Sequence, residues 1–394
     1  MAFNDVKTYC LNSLALVILI AGCSNESEKS IPAELAGIEN LTIVEPDLTK
    51  LPVFHPEPVL VIGNKNSSPI GMMSSVVTDS SGRTFIADSQ LRLVHVFDPT
   101  GTRITTIGRD GDGPGEFRGL GDLRISDGQL HVLDPALLRV NRFDLATLQF
   151  NGSTAISVDG SPSEHFLPYT YFMRPDESYL MILTGPPTQS DTNKKRVWDA
   201  VILNRDGNWA DSIHLSVPAA EWIFEFTDNY QVSMRPPYGR TSLLQADENG
   251  RLFHVWSENL LVKGYDNKGQ YEQAWYVDYP KRELERGAVM KLFESRSSSE
   301  DPRFNRLIRN QPMPNTWPAA NHFLIDDEGR FWISTYTEDP NQWRWLVLNS
   351  ATNRVEGTFL WPKSRHIHQI KNGFIYSWGN ENRTGNQTLN KYNF

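Results

Sequence analysis

The chain has 394 residues, enough for one large all-β domain or two smaller ones, and a formal net charge of −9. That balance, with no long basic run, argues against a nucleic-acid binder, because phosphate neutralisation needs clustered Lys and Arg. The 11 Trp, 13 Tyr and 19 Phe are an aromatic load suited to packing between β-sheets.

The N-terminus reads MAFNDVKTYCLNSLALVILIAGC. Residues 14–20 form an unbroken apolar run, too short for a membrane span and suited to the apolar region of a secretory signal. Ile20-Ala21-Gly22-Cys23 resembles the lipobox of bacterial lipoproteins. The resemblance implies that residues 1–22 are a signal peptide and that Cys23 is lipidated and becomes the new N-terminus. Ser24, which is not Asp, is similar to the pattern that sorts lipoproteins to the outer membrane. The chain's two cysteines are Cys10, in the leader, and Cys23. The mature fold is thus expected to hold no disulfide, thiolate nucleophile or Cys-ligated metal, which suits an oxidising compartment such as the periplasm. No later segment is apolar enough to span a bilayer.

Residues 23–56 read as the lipidated Cys and a tether that opens with Ser-Asn-Glu-Ser-Glu-Lys-Ser. Within it, residues 41–44 have the character of a short edge strand. From there a repeat organises the chain. VVTDSSGRTFIADSQLRLVHVFDPTGTRITTIG at 76–108 shares its pattern with 123–152, 243–277 and 323–360, more loosely with 171–215, and in shortened form with 367–394. Each unit predicts four short strands, at 75–78, 83–87, 93–97 and 103–107 in the first. Ser81-Gly82, Asp127-Gly128, Asn249-Gly250, Glu328-Gly329 and Asn372-Gly373 are hairpin turn signals. A period of roughly forty residues is that of propeller blades, which bury their faces only by stacking around an axis. The sixth unit stops after its third strand, while residues 57–63, ending in Ile-Gly, match the fourth strand of the first unit. The expectation is an all-β, six-bladed β-propeller over 57–394 in which the N-terminal strand completes the last blade and leaves no open edge.

Ile107-Gly108-Arg109-Asp110-Gly111-Asp112-Gly113-Pro114-Gly115-Glu116-Phe117 resembles the Gly-rich connector of NHL-repeat and related six-bladed propellers. The resemblance implies that fold and says little about function. Two readings of the connector stand side by side. It is a tight crossing between blades, or Asp110, Asp112 and Glu116 supply oxygen ligands to Ca²⁺. Two stretches break the repeat: a polar insertion at 184–197 inside blade three, and a longer one at 281–320 between blades four and five. The second has helical spacing at Leu284, Ala288, Leu292 and Phe293 and a second short helix around Phe304, Leu307 and Ile308. It is either a cover over one face or a connection without a ligand role.

No nucleophile elbow and no His-Glu-x-x-His motif is present. His366 and His368 fall on the innermost strand of blade six, and His322 opens that of blade five. Converging near the axis with a carboxylate such as Asp122, they suit zinc. Six-bladed peptide-amidating lyases are similar in using channel histidines around a metal, but the disulfide cysteines of those lyases are absent here. Arg124, Arg174 and Arg240 fall on or beside the innermost strands of blades two, three and four, with Tyr169, Trp222 and Trp317 near them in the repeat. Such a rim pairs with carboxylates through Arg and stacks its aromatic rings on planar or sugar-like groups. The reading reached is a monomeric, outer-membrane-anchored periplasmic or surface protein that binds or scaffolds. Its partners are the membrane through the lipid, and a protein, a peptide or a small polar ligand, anionic or mixed, taken at a channel mouth roofed by 281–320. Its candidate binding residues are Arg124, Arg240, His322, His366 and His368, without cofactor. The alternative is a metal-dependent lyase or lactonase-like hydrolase.

Overall fold

The computed structural model describes residues 35–63, 69–186, 188, 195–227, 230–294, 301–380 and 387–394. The expected leader, Cys23 and half of the blade-three insertion lie outside the described residues. The chain divides into residues 1–38 and 39–394, and the fold below is that of the second unit.

Two strands precede the first blade, β1 (Leu41–Val44) and β2 (Glu57–Ile62). Blade one is β3 (Met73–Thr78), β4 (Thr84–Asp88), β5 (Leu93–Phe97) and β6 (Arg103–Ile107). Blade two is β7 (Leu123–Ser126), β8 (Gln129–Asp134), β9 (Arg139–Asp144) and β10 (Phe150–Ala155). Blade three is β11 (Leu167–Met173), β12 (Tyr179–Thr184), β13 (Val197–Leu203) and β14 (Leu215–Pro218). A separate hairpin, β15 (Ile223–Phe226) and β16 (Gln231–Met234), leads to blade four, which is β17 (Ser242–Ala246), β18 (Leu252–Trp256), β19 (Leu261–Tyr265) and β20 (Tyr271–Val277). Helices α1 (Arg286–Glu294) and α2 (Pro302–Asn310) come next. Blade five is β21 (His322–Ile325), β22 (Arg330–Tyr336), β23 (Gln342–Asn349) and β24 (Arg354–Pro362). Blade six is β25 (Arg365–Lys371), β26 (Phe374–Asn380) and β27 (Gln387–Asn393), completed by β2. The fold is therefore the expected six-bladed β-propeller, closed by its N-terminal strand. Leu60 pairs with Lys391 and Ile62 with Leu389, antiparallel.

The apolar alternation of each strand is explained by where the core lies. Six hydrophobic layers fill the wedges between neighbouring blades. Between blades one and two, for example, Phe85, Val94 and Val96 meet Leu123, Leu130 and Phe143. Middle strands are covered on both faces, so they read as continuous apolar runs such as Phe85-Ile86-Ala87.

The hairpin turns are built from the residues that signalled them. In Asp79-Ser80-Ser81-Gly82-Arg83, Asp79 Oδ1 accepts the backbone N–H of Ser81 and of Arg83, both at 2.9 Å, and its Oδ2 accepts Arg83 Nε at 2.7 Å. Asp247 with Arg251 and Asp326 with Arg330 repeat this arrangement in blades four and five. Blades two and six use two-residue turns instead, Asp127-Gly128 and Asn372-Gly373, with both residues at positive φ as a type I′ turn requires.

The N-terminal segment is more than a tether beyond residue 39. β1 runs parallel to β20 as a fifth strand on blade four, Val53 bridges Thr358 on blade five, and β2 then joins blade six. One segment thus covers the outer edges of three successive blades, where unpaired backbone groups would otherwise face outward.

Candidate functional site

The six innermost strands, β3, β7, β11, β17, β21 and β25, neighbour one another in that order around a ring. They surround a channel of about 1090 Å³, slightly above the range of small-ligand pockets (~300–1,000 Å³). Chain direction fixes the two mouths. Four antiparallel strands return the chain to the face where its blade began, so every connection from a fourth strand to the next innermost strand lies on that face, called upper here. The turns within the first and third hairpin of each blade lie on the lower face.

Backbone irregularities interrupt three innermost strands, near the upper end of β11 and β3 and in the middle of β25. The registers of β11 with β12, β25 with β26 and β3 with β4 each skip one residue, at Tyr169, His368 and Ser74. A β-bulge re-aims the side chain it carries. Tyr169 is 54% exposed and lines the channel, its ring stacked at 4.5 Å on Trp198. Phe166 and Val197 are exposed at the same end of blade three.

Four of the five candidate residues line the channel: Arg124, His322, His366 and His368. Arg124 is held by its own surroundings. It donates to Tyr171 O at 3.2 Å, Leu123 O at 3.0 Å and Asp122 Oδ2 at 3.4 Å, over the rings of Tyr171 and Phe172. Asp122 also accepts the Thr170 hydroxyl. The three imidazoles form a chain, with ring centroids 5.2 Å apart from His322 to His366 and 6.1 Å from His366 to His368. His322 stacks on Trp345, and His366 and His368 pack on Trp378. Desolvation pushes the pKa of His322 down to about 3 and those of His366 and His368 downward as well, so all three are neutral at pH 7.

The fifth candidate, Arg240, is not among the channel-lining residues. It is buried beneath the connection into blade four, where it pairs with Glu258 and donates to Tyr238 O and Thr316 O. Its role in the fold is to tie the 281–320 insertion to blade four. Arg174 lines the channel at the lower end, beyond Met173, and donates to Asn267 O at 2.8 Å.

The expected roof is corrected in the same way. The insertion is on the upper face, as its place between β20 and β21 requires, but none of its described residues lines the channel. Val289, Phe293, Leu307 and Ile308 bury themselves instead against Val232 and Met234 of β16 and against Tyr238. Arg306 of α2 pairs with Glu225 of β15. The hairpin that receives the helices was not foreseen. Its strands have four residues each, below the length at which alternation is readable.

Two metal readings meet these side chains. In the connector, Asp110 pairs with Arg92 and Arg118, Asp112 with Arg118, and Glu116 with Arg109. Gly108 at φ +74° lets Phe117 pack where a Cβ would be 2.2 Å from its ring. The arrangement is that of a blade crossing. Among the described residues, no group of three His, Cys, Asp or Glu is placed to hold a metal ion, the channel histidines included.

With this geometry in hand, known proteins give the following. A family model described as a 6-bladed β-propeller matches residues 62–181, which run from the end of β2 into blade three. A protein described as exported, from Bacteroides fragilis, superposes with a TM-score of 0.53 at 13% identity, covering 90% of this chain and 99% of that one. A member of the DUF4221 family from Bacteroides vulgatus does so with a TM-score of 0.51 at 11% identity, covering 86% and 97%. Virginiamycin B lyase from Staphylococcus aureus aligns at a TM-score of 0.42 and 12% identity, covering 86% and 99%. No curated protein matches the sequence. The class is thus a six-bladed propeller similar in fold to proteins of Bacteroides. Among the described residues, no helix is long and apolar enough to cross a membrane.

Proposed function

We propose that the protein is an exported lipoprotein, anchored through Cys23, that binds a small polar ligand at the upper mouth of its channel. The observation that carries the binding reading is the pair of bulges at Tyr169 and His368 on blades three and six, which stand opposite each other in a ring of six. A bulge costs ladder pairing, and the two residues carried on these bulges both line the channel, Tyr169 stacked on Trp198 and His368 packed on Trp378 with its Nε2 3.3 Å from Ser75 Oγ of blade one. The export reading is supported by Ile20-Ala21-Gly22-Cys23.

A thermal-shift screen of small polar compounds tests the binding reading. Compounds that stabilise the wild type should lose their effect in Tyr169→Ala with His366→Ala and keep it in Arg174→Ala at the lower mouth. Equal shifts in all three proteins would sink the reading. A lyase or hydrolase is the second reading, favoured by the row of imidazoles His322, His366 and His368 on the channel wall. Elemental analysis of the purified mature protein separates the metal-dependent form of that reading, for which stoichiometric zinc or calcium is expected.

A further inference from the structure

The upper mouth combines one exposed aromatic face with hydrogen-bonding groups and little unopposed charge. Tyr169 offers the face of its ring not covered by Trp198. Asp122 and Arg124 beside it are an internally balanced pair, and the guanidinium spends further donors on Tyr171 O and Leu123 O. Across the channel, His366 and His368 stay uncharged, since Trp378 and the surrounding strands desolvate them. Gln369, also on the wall, has a buried Oε1 without a hydrogen-bond partner. Arg240, which would have added a cation, is consumed by Glu258. Arg235 is exposed and near enough to act on the Tyr169 hydroxyl, but it is not part of the channel lining. The other cations of the wall, Arg174, Arg251 and Lys371, lie toward the lower end, so an anion held at the upper mouth would lack a dedicated cation there, which reverses the expectation of an anionic ligand.

We infer that the upper mouth binds a neutral saccharide, with one sugar face laid on Tyr169 and its hydroxyl groups exchanging hydrogen bonds with Asp122 and His366. The inference rests on the channel mouth being the binding site and adds the ligand's chemistry. A pyranose presents C–H groups on one face and hydroxyls at its edge, and this is the pairing that an aromatic platform with neutral donors and acceptors satisfies. Hydroxyls also tolerate neutral imidazoles, which a carboxylate or phosphate ligand would need protonated.

Titration calorimetry on the mature protein tests this, with maltohexaose, cellohexaose, xylohexaose and mannohexaose as neutral probes and tetragalacturonate as the anionic one. At least one neutral probe is expected to bind. Tyr169→Ala should weaken it about tenfold or more, while Tyr169→Phe, which keeps the ring, stays near wild type. Arg235→Gln and a rise to about 0.5 M NaCl should leave affinity within about twofold. If Tyr169→Ala fails to fold by circular dichroism, His366→Ala carries the same expected loss. Binding of tetragalacturonate alone, sensitive to Tyr169 and salt, would overturn the inference and leave the channel-mouth reading standing. No binding by any neutral probe, or binding indifferent to both Tyr169 and His366, would overturn the inference, and the second result would remove the channel-mouth reading too.

Discussion

Asp88 shows how single side chains hold the ring in shape. It is fully buried at the end of β4 and accepts N–H bonds from Gly71 at 2.7 Å, Met72 at 3.2 Å, and Gln90 and Leu91 at 3.1 Å, with His95 Nε2 at 3.2 Å. Asp134 does the same in blade two for Arg118 and Gly119. These carboxylates pin the segment entering their own blade to the end of its second strand. Although burial opposes ionisation, the hydrogen bonds from His95 and from the backbone donors prevail and hold the Asp88 pKa at about 2. Its ionised form therefore stabilises the fold fully above pH 3.8 and loses that contribution as pH falls toward 2, about 2 kcal/mol in all. Asp88→Ala should cost at least about 3 kcal/mol in urea unfolding at pH 7, because several buried donors lose their acceptor together. Buried imidazoles act over a higher range. His131 is pushed down to about 4 and His254 to about 3, mainly by desolvation. As pH falls below 6.5 the unfolded chain takes up protons that these folded sites refuse, so stability should drop by about 1.4 kcal/mol per pH unit for each. His254→Gln should remove one such contribution from the slope of unfolding free energy between about pH 6 and pH 4.5, and an unchanged slope would contradict the assignment. The turn dipeptides were legible in the sequence, but the role of Asp88 and Asp134 was not, since their partners come from backbone that only the folded blade brings near.

At the scale of elements, the strand at 57–62 and the turn glycines were readable because each answers to a local rule. Residues 57–63 repeat the pattern of a fourth strand, and Asn-Gly or Asp-Gly fixes a hairpin. Deleting 57–63 should strip blade six of its outer strand and lower the melting temperature well beyond the effect of deleting 41–44, which removes only an added fifth strand on blade four. Equal melting temperatures for the wild type and the 57–63 deletion would contradict the closure. Gly108→Ala is a sharper probe of the connector. It places a Cβ against Phe117 and Gly115 O at φ +74°, and a loss of about 2–4 kcal/mol is expected from strain and lost packing together. The bulges at Ser74, Tyr169 and His368 left no comparable trace in the sequence. A skipped register is a relation between two strands, and each strand read alone still alternates. For the same reason the exposed position of Tyr169 was visible as a nearby aromatic and not as the platform of the mouth.

The whole molecule separates stability from recognition. Six interblade layers carry the core, the N-terminal segment protects the outer edges of blades four to six, and the hairpin and helices form a buttress of their own beside the channel. Tyr169, Asp122 and Arg124 line the channel on one side and the three histidines on the other. Anchoring is tested separately: metabolic labelling with a radioactive fatty acid should mark the wild type and not Cys23→Ser. In the proposed binding mode, ligand enters between blades three and six from the upper side. A crystal structure of the mature protein with a compound that raises its melting temperature tests this. That compound is expected on the Tyr169 ring, within hydrogen-bonding reach of His366 or Asp122. A compound found at the lower mouth near Arg174, or on the outer rim with the upper mouth empty, would contradict it.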